Sequence, residues 1–418
     1  MPSAGQIVYY SAVVAWSAAI YQFLIKDLLS VSLGLGRVIQ SIDEFPGYSC
    51  SRIQHPQLEA CEDLWLDERD RTLYAACGGT QSRMAWNPSI SLLNASGRRI
   101  SGSEFLAIDV DSFGTNGFFS LRTITPTGSF GATGEPTLDA LGFSAETIDD
   151  QTIHFYFANV PPYHGSLFPA SQTGANASVE VFEFKRGNTE MSHLRTVQSP
   201  AIWSPNRPVA LSDGAFLVTN DHGAKVGWRK QLEPLIGGGN VAYCPASGSC
   251  RAATPPPGLD IRKSLKFPNG LTRGHDGLIY VPSSVDGTVA VFALQPDGSL
   301  TRVHTVRVGM PLDNISPDAR GDLWVPGFPD SRQTMKGLEN PYEEVSPATV
   351  WRIKRERGAE GEVRNAEYVL EYEVEKVLED REAKVLDGVT TVVHDVKSGR
   401  LFMGGAAVPF MVVCEPRV

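Results

Sequence analysis

The 418-residue sequence is short of positive charge: 37 Lys and Arg stand against 47 Asp and Glu, a net charge of −10. Binding a phosphate backbone needs grouped Lys and Arg to displace condensed counterions, so nucleic acid is excluded as a partner. Charged residues of all kinds make up only 20%, against 42% hydrophobic, which excludes a disordered chain and leaves enough apolar material for an extensive core. Glycine and proline are nowhere concentrated. The 40 Gly and 28 Pro are spread along the chain, as many short strands punctuated by turns would require, and the composition therefore points to an all-β protein.

The run from Ile7 to Ile25 lacks any formal charge and ends at Lys26 and Asp27. About nineteen such residues suffice to span a bilayer. The run also lacks a preceding Lys or Arg and a small-x-small site after it, both features of a cleaved signal peptide. The expectation is an uncleaved single-pass membrane anchor within residues 1–36, ahead of a globular domain over 45–418. A signal peptide and a merely buried helix are the competing readings. Lys26 and Arg37 weakly favour a cytosolic C-terminal side, whereas the cysteines and the sequons Asn94-Ala-Ser and Asn176-Ala-Ser favour a lumenal one. We expect the lumen of the endoplasmic reticulum or the secretory pathway, with glycans on Asn94 and Asn176; full secretion is the alternative.

Beyond residue 45 an irregular repeat emerges, a turn with a small or acidic residue followed by a short apolar and aromatic strand. Its six copies are Asp70-Arg-Thr-Leu-Tyr-Ala, Asp150-Gln-Thr-Ile-His-Phe, Asp213-Gly-Ala-Phe-Leu-Val, Asp276-Gly-Leu-Ile-Tyr-Val, Arg320-Gly-Asp-Leu-Trp-Val and Ser398-Gly-Arg-Leu-Phe-Met. Their spacing leaves room for three more strands each, and partners show as Val179-Glu-Val-Phe-Glu-Phe, Val289-Ala-Val-Phe-Ala-Leu and Thr349-Val-Trp-Arg-Ile. Four-stranded units repeated radially make a β-propeller, here six-bladed; paired sandwiches are the rival. The charged stretch from Glu367 to Lys384 reads as a strand pair with a long loop, with a surface helix as the alternative. A ring of blades must be closed by joining its first strand to its last. Cys50 and Cys414 stand at the two ends, and a disulfide between them would contribute roughly 4 to 5 kcal/mol in the chain-entropy model; two unrelated buried thiols are the alternative. Cys244 and Cys250 fit a local loop disulfide, and Cys61 and Cys77 read as buried strand residues.

Propeller chemistry sits where the innermost strands converge on the axis. Just ahead of the repeat strands stand Glu62, Asn206, Asn269, Asp313 and Asn314, two carboxylates and three amides without sulfur or imidazole. Hard oxygen donors of this kind suit calcium rather than zinc or copper, and calcium's six to eight positions would leave about one to three for water or a substrate oxygen. A set of Asx-type turns is the bland alternative.

Glu62-Asp63, the Asn206 segment, Pro268-Asn-Gly, Asp313-Asn-Ile-Ser followed by Gly321-Asp-Leu-Trp-Val, Thr219-Asn-Asp-His and the terminal cysteine pair together resemble the paraoxonase/arylesterase family over most of residues 45–418. The resemblance implies a six-bladed propeller with a catalytic and a structural calcium, hydrolysing lactones and aryl esters with a histidine dyad, and it places the five oxygen ligands on the catalytic ion. Three departures matter. The family's Pro-His-Gly histidine falls on Leu141 and its second histidine on Val160, so the dyad is gone; His164 is a weak substitute. A third histidine falls on Phe328. The structural-calcium aspartate after the ligand asparagine falls on Arg207, so an ion pair with Asp63 would replace the second ion. One Ca2+ is expected.

Hydrolysis needs a base within hydrogen-bond reach of the attacking water, and the dyad that the family supplies is missing. A calcium ion polarising a carbonyl or enone oxygen needs no protein proton carrier, and an apolar cavity can press two groups together for several kcal/mol of effective-molarity gain. Propellers similar to this family act in fungal secondary metabolism as hetero-Diels-Alderases. The expected function is a calcium-dependent cyclisation or cycloaddition on a small apolar carbonyl compound in terpenoid or polyketide biosynthesis, with Leu141, Val160 and Phe328 binding substrate. A lactonase or arylesterase with Asp313 or Glu62 as catalytic base is the second reading, and a non-catalytic binding propeller the third.

Overall fold

The computed structural model describes residues 3–113, 119–132, 136–254, 264–356 and 371–417. Alternation of apolar residues along short strands lets each strand bury both faces, and the strands assemble into six antiparallel blades. Blade 1 holds Cys61–Asp67, Thr72–Cys77, Glu104–Phe113 and Phe119–Thr123. Blade 2 holds Ala140–Thr147, Thr152–Asn159, Ser178–Lys185 and Glu190–Val197, with Thr125–Thr127 added in parallel at its rim. Blade 3 is Pro205–Ala210, Phe216–Asn220, Asn240–Cys244 and Arg251–Ala252, and blade 4 is Thr272–Arg273, Ile279–Pro282, Thr288–Leu294 and Leu300–Arg307. Blade 5 is Ser316–Pro317, Leu323–Gly327, Ala348–Arg355 and Tyr372–Asp380. The last blade takes Thr391–His394, Leu401–Gly404 and Met411–Pro416 from the end of the chain and Tyr48–Ile53 from its beginning.

The six repeats of the sequence are the second strands of the six blades. The turn leading into them explains their signature: Gly214, Gly277, Gly321 and Gly399 stand at positive φ, from 72° to 87°, where a side chain is strained. Blade 1 carries Arg71 there instead, at φ 54°. Between neighbouring blades the alternate faces interlock. Phe105 of blade 1 meets Phe143, Phe155 and Phe157 of blade 2 edge-on, with centroids 4.8–5.3 Å apart, and Leu64 and Leu73 pack with Phe402 and Met411 across the closing seam. The charged stretch near residue 375 is a strand pairing with Ala348–Arg355; residues 367–370 lie outside the described residues.

Closure occurs where the sequence places it. Cys50 and Cys414 are directly opposed in register and bonded, 364 residues apart, and Cys244–Cys250 is the expected local bridge. The reading of Cys61 and Cys77 as plain buried residues is corrected: they face each other across the first two strands of blade 1 and form a third disulfide, because antiparallel pairing brings their Cα atoms to 3.9 Å. A second correction concerns Asn176. Its side chain is 2% exposed and its Oδ1 accepts from Gln198 at 3.1 Å, so the folded protein has no room for a glycan there, whereas Asn94 is exposed.

Ser3 and Gln6 form a capping box that starts the helix Ala4–Ile20, whose residues are all exposed. The helix is 17 residues long, and among the described residues no helix is long and apolar enough to cross a membrane. The following segment docks on the propeller: Arg37 reaches Pro329 O at 2.6 Å and Gly309 O at 2.7 Å, and Ser32 Oγ reaches Val285 O at 2.6 Å. These partners lie at the same end of the strands as the start of each innermost strand. That end is also covered by the connections between second and third strands, which carry the short helix Thr80–Ala85, the ribbon Trp86–Asn87 with Leu92–Leu93, and the helices Trp228–Ile236 and Ser331–Glu339.

Candidate active site on the propeller axis

Glu62 and Asn206 stand second in their innermost strands, and Asn269, Asp313 and Asn314 just ahead of theirs. Glu62, Asn206, Asn269, Asp313 and Asn314 are all less than a tenth exposed. Asn314 Nδ2 donates to Glu62 O at 3.0 Å, joining blades 5 and 1. Blade 4 closes up to blade 5 at Gly270, where a Cβ would lie 2.0 Å from Asn314 Oδ1, so only glycine permits this approach. Asn269 is fixed through Nδ2 on Ser284 Oγ at 2.9 Å and through Oδ1 on the Gly270 amide at 2.7 Å.

Three oxygens of this cluster, Glu62 Oε2, Asp313 Oδ1 and Asn314 Oδ1, are buried without a hydrogen-bond partner. Burial raises the Glu62 carboxyl to about 7, with Arg83 opposing and the charges of Asp63 and Asp221 adding to the rise. Asp313 is pushed well above 3.8 by burial and by the charge of Glu62. Converging orphaned oxygens and mutually repelling carboxylates are what a hard cation would relieve, so the residues present fit the calcium that the family resemblance implies. Among the described residues no three His, Cys, Asp or Glu side chains cluster as a metal site; the set here has two carboxylates, its other donors being amides.

One level deeper the axis holds an ion pair. Arg207 Nε lies 2.8 Å from Asp63 Oδ2, and its Nη1 donates to Ile315 O at 2.6 Å. Asp63 also accepts from the Leu64 and Phe143 amides, both at 2.9 Å. The guanidinium thus occupies the neighbourhood of Asp63, as the substitution at 207 suggested.

Leu141 and Val160, both 2% exposed, meet in one small cavity that Pro88, Ser89, Ala175, Trp203, Ser204, Pro205 and Lys225 complete. It encloses only about 10 Å³, room for one water. Its residues include no His, Asp or Glu. Phe328, 6% exposed, does not line it; its amide donates to Pro311 O at 2.8 Å on the blade 5 side, two residues from Asp313. His164 is exposed and likewise absent from the cavity wall.

Sequence reasoning missed the wall behind this cavity. Asp221 accepts from the hydroxyls of both Ser89 and Ser204. His222 bonds Glu233 Oε2 at 2.9 Å and Ser89 O at 2.9 Å and packs on Phe267, 4.7 Å between centroids. Lys230, 5% exposed, reaches Pro88 O from the helix Trp228–Ile236. Thr219-Asn-Asp-His was the visible trace of this network. Arg83 left no trace, being one basic residue in an unremarkable run.

A family model described as arylesterase matches residues 143–367, more than half the chain. The chain belongs to the arylesterase family. Among curated relatives, serum paraoxonase/arylesterase 2 of Rattus norvegicus is 25% identical over 196 residues, 46% of this chain and 49% of that protein. Serum paraoxonase/arylesterase 1 of Mus musculus is 26% identical over 205 residues, 48% and 52% of the two chains. The chain spans about half the length of the curated relatives it matches. A solved structure, a periplasmic gluconolactonase of Pseudomonas aeruginosa, superposes with a TM-score of 0.41 at 16% identity, covering 82% of this chain and 80% of that one, too distant a likeness to bear on activity.

Proposed function

We propose that this arylesterase-family propeller is an enzyme acting on a small apolar carbonyl compound by a non-hydrolytic, ring-forming reaction beside an axial divalent cation. Glu62, Asn206, Asn269, Asp313 and Asn314 would hold one Ca2+. When bound, the ion supplies Lewis-acid polarisation of a carbonyl or enone oxygen. The observation that carries the reading is the cavity wall, which apart from Ser89, Ser204 and Lys225 is apolar and itself carries no carboxylate or imidazole to take a proton from water.

The chain's own part is to desolvate and to orient. Leu141, Val160 and Trp203 exclude water and press apolar substrate surfaces together, which favours steps whose barrier is largely one of bringing groups into contact. A cycloaddition converts π bonds to σ bonds and moves no proton, so the missing histidines cost it nothing. The cavity is too small for an organic molecule as it stands; substrate entry would displace the ribbon carrying Pro88 and Ser89. Hydrolysis of lactones or aryl esters is the second reading. Family membership favours it, and Glu62 or Asp313, with proton affinities raised by burial, would be its base.

All six cysteines are paired, which supports maturation in an oxidising compartment such as the secretory pathway. The exposed apolar residues of Ala4–Ile20, Trp16 at 72% among them, support membrane attachment of the N-terminus there. The deciding experiment incubates the full chain with a panel of lactones and aryl esters, with and without EDTA, and in parallel with an enone and a diene. The expected result is no EDTA-sensitive hydrolysis and a calcium-dependent gain in adduct formation. Rapid EDTA-sensitive hydrolysis would instead establish the lactonase reading.

A further inference from the structure

Arg83 lies in the last turn of the short helix Thr80–Ala85 with its side chain turned inward, 4% exposed. Its Nη2 donates to Ala140 O and lies 3.2 Å from Glu62 Oε2. That contact is charge against charge without hydrogen-bond geometry, since Glu62 Oε2 stays without a hydrogen-bond partner. Arg83 Nε is buried without a hydrogen-bond partner. A Cβ at Gly78 would lie 2.4 Å from Arg83 Nε, so glycine is what lets the side chain lie flat on the backbone beside the Cys61–Cys77 bridge.

The charges around the axis make this contact consequential. Glu62 feels Arg83, Asp63 and Asp221, and Asp313 feels Glu62, Asp63 and Arg207. Arg207 is committed to Asp63 at 2.8 Å. Arg83 pairs with a carboxylate of the oxygen cluster itself, 3.2 Å from Glu62 Oε2.

We propose that Arg83 is a built-in rival for Glu62, a positioning residue whose guanidinium lowers the affinity of the axial oxygens for a divalent cation and keeps the site exchangeable. This rests on the reading of those oxygens as a cation site. A fixed positive charge beside one donor repels an incoming ion and holds the carboxylate off the approach it would take toward that ion. Removing the charge should therefore strengthen calcium binding, the opposite of what damage to a site produces.

The test is calorimetric titration of CaCl2 into EDTA-stripped full chain, for wild type, Arg83→Met, Arg83→Lys and Gly78→Ala. Arg83→Met keeps an apolar stem and loses the charge; its calcium Kd should fall at least tenfold. Gly78→Ala drives a methyl into the guanidinium's seat and should shift Kd the same way with the arginine still present. Arg83→Lys should return Kd toward wild type. If wild type binds calcium and both Arg83→Met and Gly78→Ala bind it no more tightly, the rivalry is refuted while the cation site stands. If neither wild type nor Arg83→Met takes up calcium, the cation site itself falls and the rivalry with it. Calcium uptake by Arg83→Met alone would support the rivalry in its strongest form. Should Arg83→Met lose its near-UV circular dichroism, Gly78→Ala decides.

Discussion

Arg207 and Asp63 show how a buried charge on the axis is met from within the chain. A carboxylate with no accessible surface must be neutralised, and here a guanidinium 2.8 Å away does it, with the remaining lone pairs used by two amides. Such a pair is weak evidence for stability as a whole, yet removing one partner strands the other. Arg207→Leu should lose roughly 3–5 kcal/mol in urea denaturation, and Arg207→Leu with Asp63→Leu should recover much of it. At the opposite end of the axis Asp318 accepts from His394 at 2.7 Å and Trp324 at 2.9 Å. Burial alone would raise its carboxyl, but those bonds outweigh burial and hold it below 3.8; Glu68 is the other carboxylate that senses it. A depressed carboxylate stabilises the fold above its unfolded pKa and ceases to do so as pH falls through its folded one. Asp318→Asn should therefore cost about 1–3 kcal/mol near neutral pH. The gap in Tm to wild type should narrow as pH falls below about 4.

The elements obey pattern where pattern is local. Five of the six second strands announce themselves by a tight turn with a positive φ, at Arg71, Gly214, Gly277, Gly321 and Gly399, and all then alternate apolar residues toward two neighbouring blades. Innermost strands are harder to see: Thr272–Arg273 and Ser316–Pro317 are two residues long, and their polar starts look like loop sequence. The candidate oxygen donors were still legible, since Asn269 and the pair Asp313 and Asn314 stand at a similar distance ahead of the legible strands Ile279–Pro282 and Leu323–Gly327. The three disulfides also act at this scale. Cys61→Ser with Cys77→Ser opens a 16-residue separation and should cost about 3 kcal/mol in the chain-entropy model, read as a fall in Tm. It should also disturb the Glu62 strand, because Cys61 begins it. The two sequons separate by burial: expressed through a secretory pathway, Asn94→Gln should remove one glycan by mass spectrometry, and Asn176→Gln should leave the mass of attached sugar unchanged.

Over the whole molecule the ring is held by six interblade cores and one covalent seam. The Cys50–Cys414 bridge spans 364 residues, so its loss should cost about 4–5 kcal/mol in the same model and should lower Tm more than loss of Cys244–Cys250, which spans six. The sequence by itself determined the blade count, the closing pair and the ion pair of Arg207 with Asp63. Each of these is written in residue types whose role follows from local turn, strand or ligand chemistry. Tertiary structure alone decided that Cys61 meets Cys77, that Asn176 is buried, that Leu141 and Val160 share a cavity which Phe328 does not reach, and that Arg83 lies on Glu62. Those facts depend on which blade stands beside which and on how the connections between second and third strands fold back over the axis. Contacts between residues far apart in sequence carry no periodic signature, so they become visible only once the ring is closed.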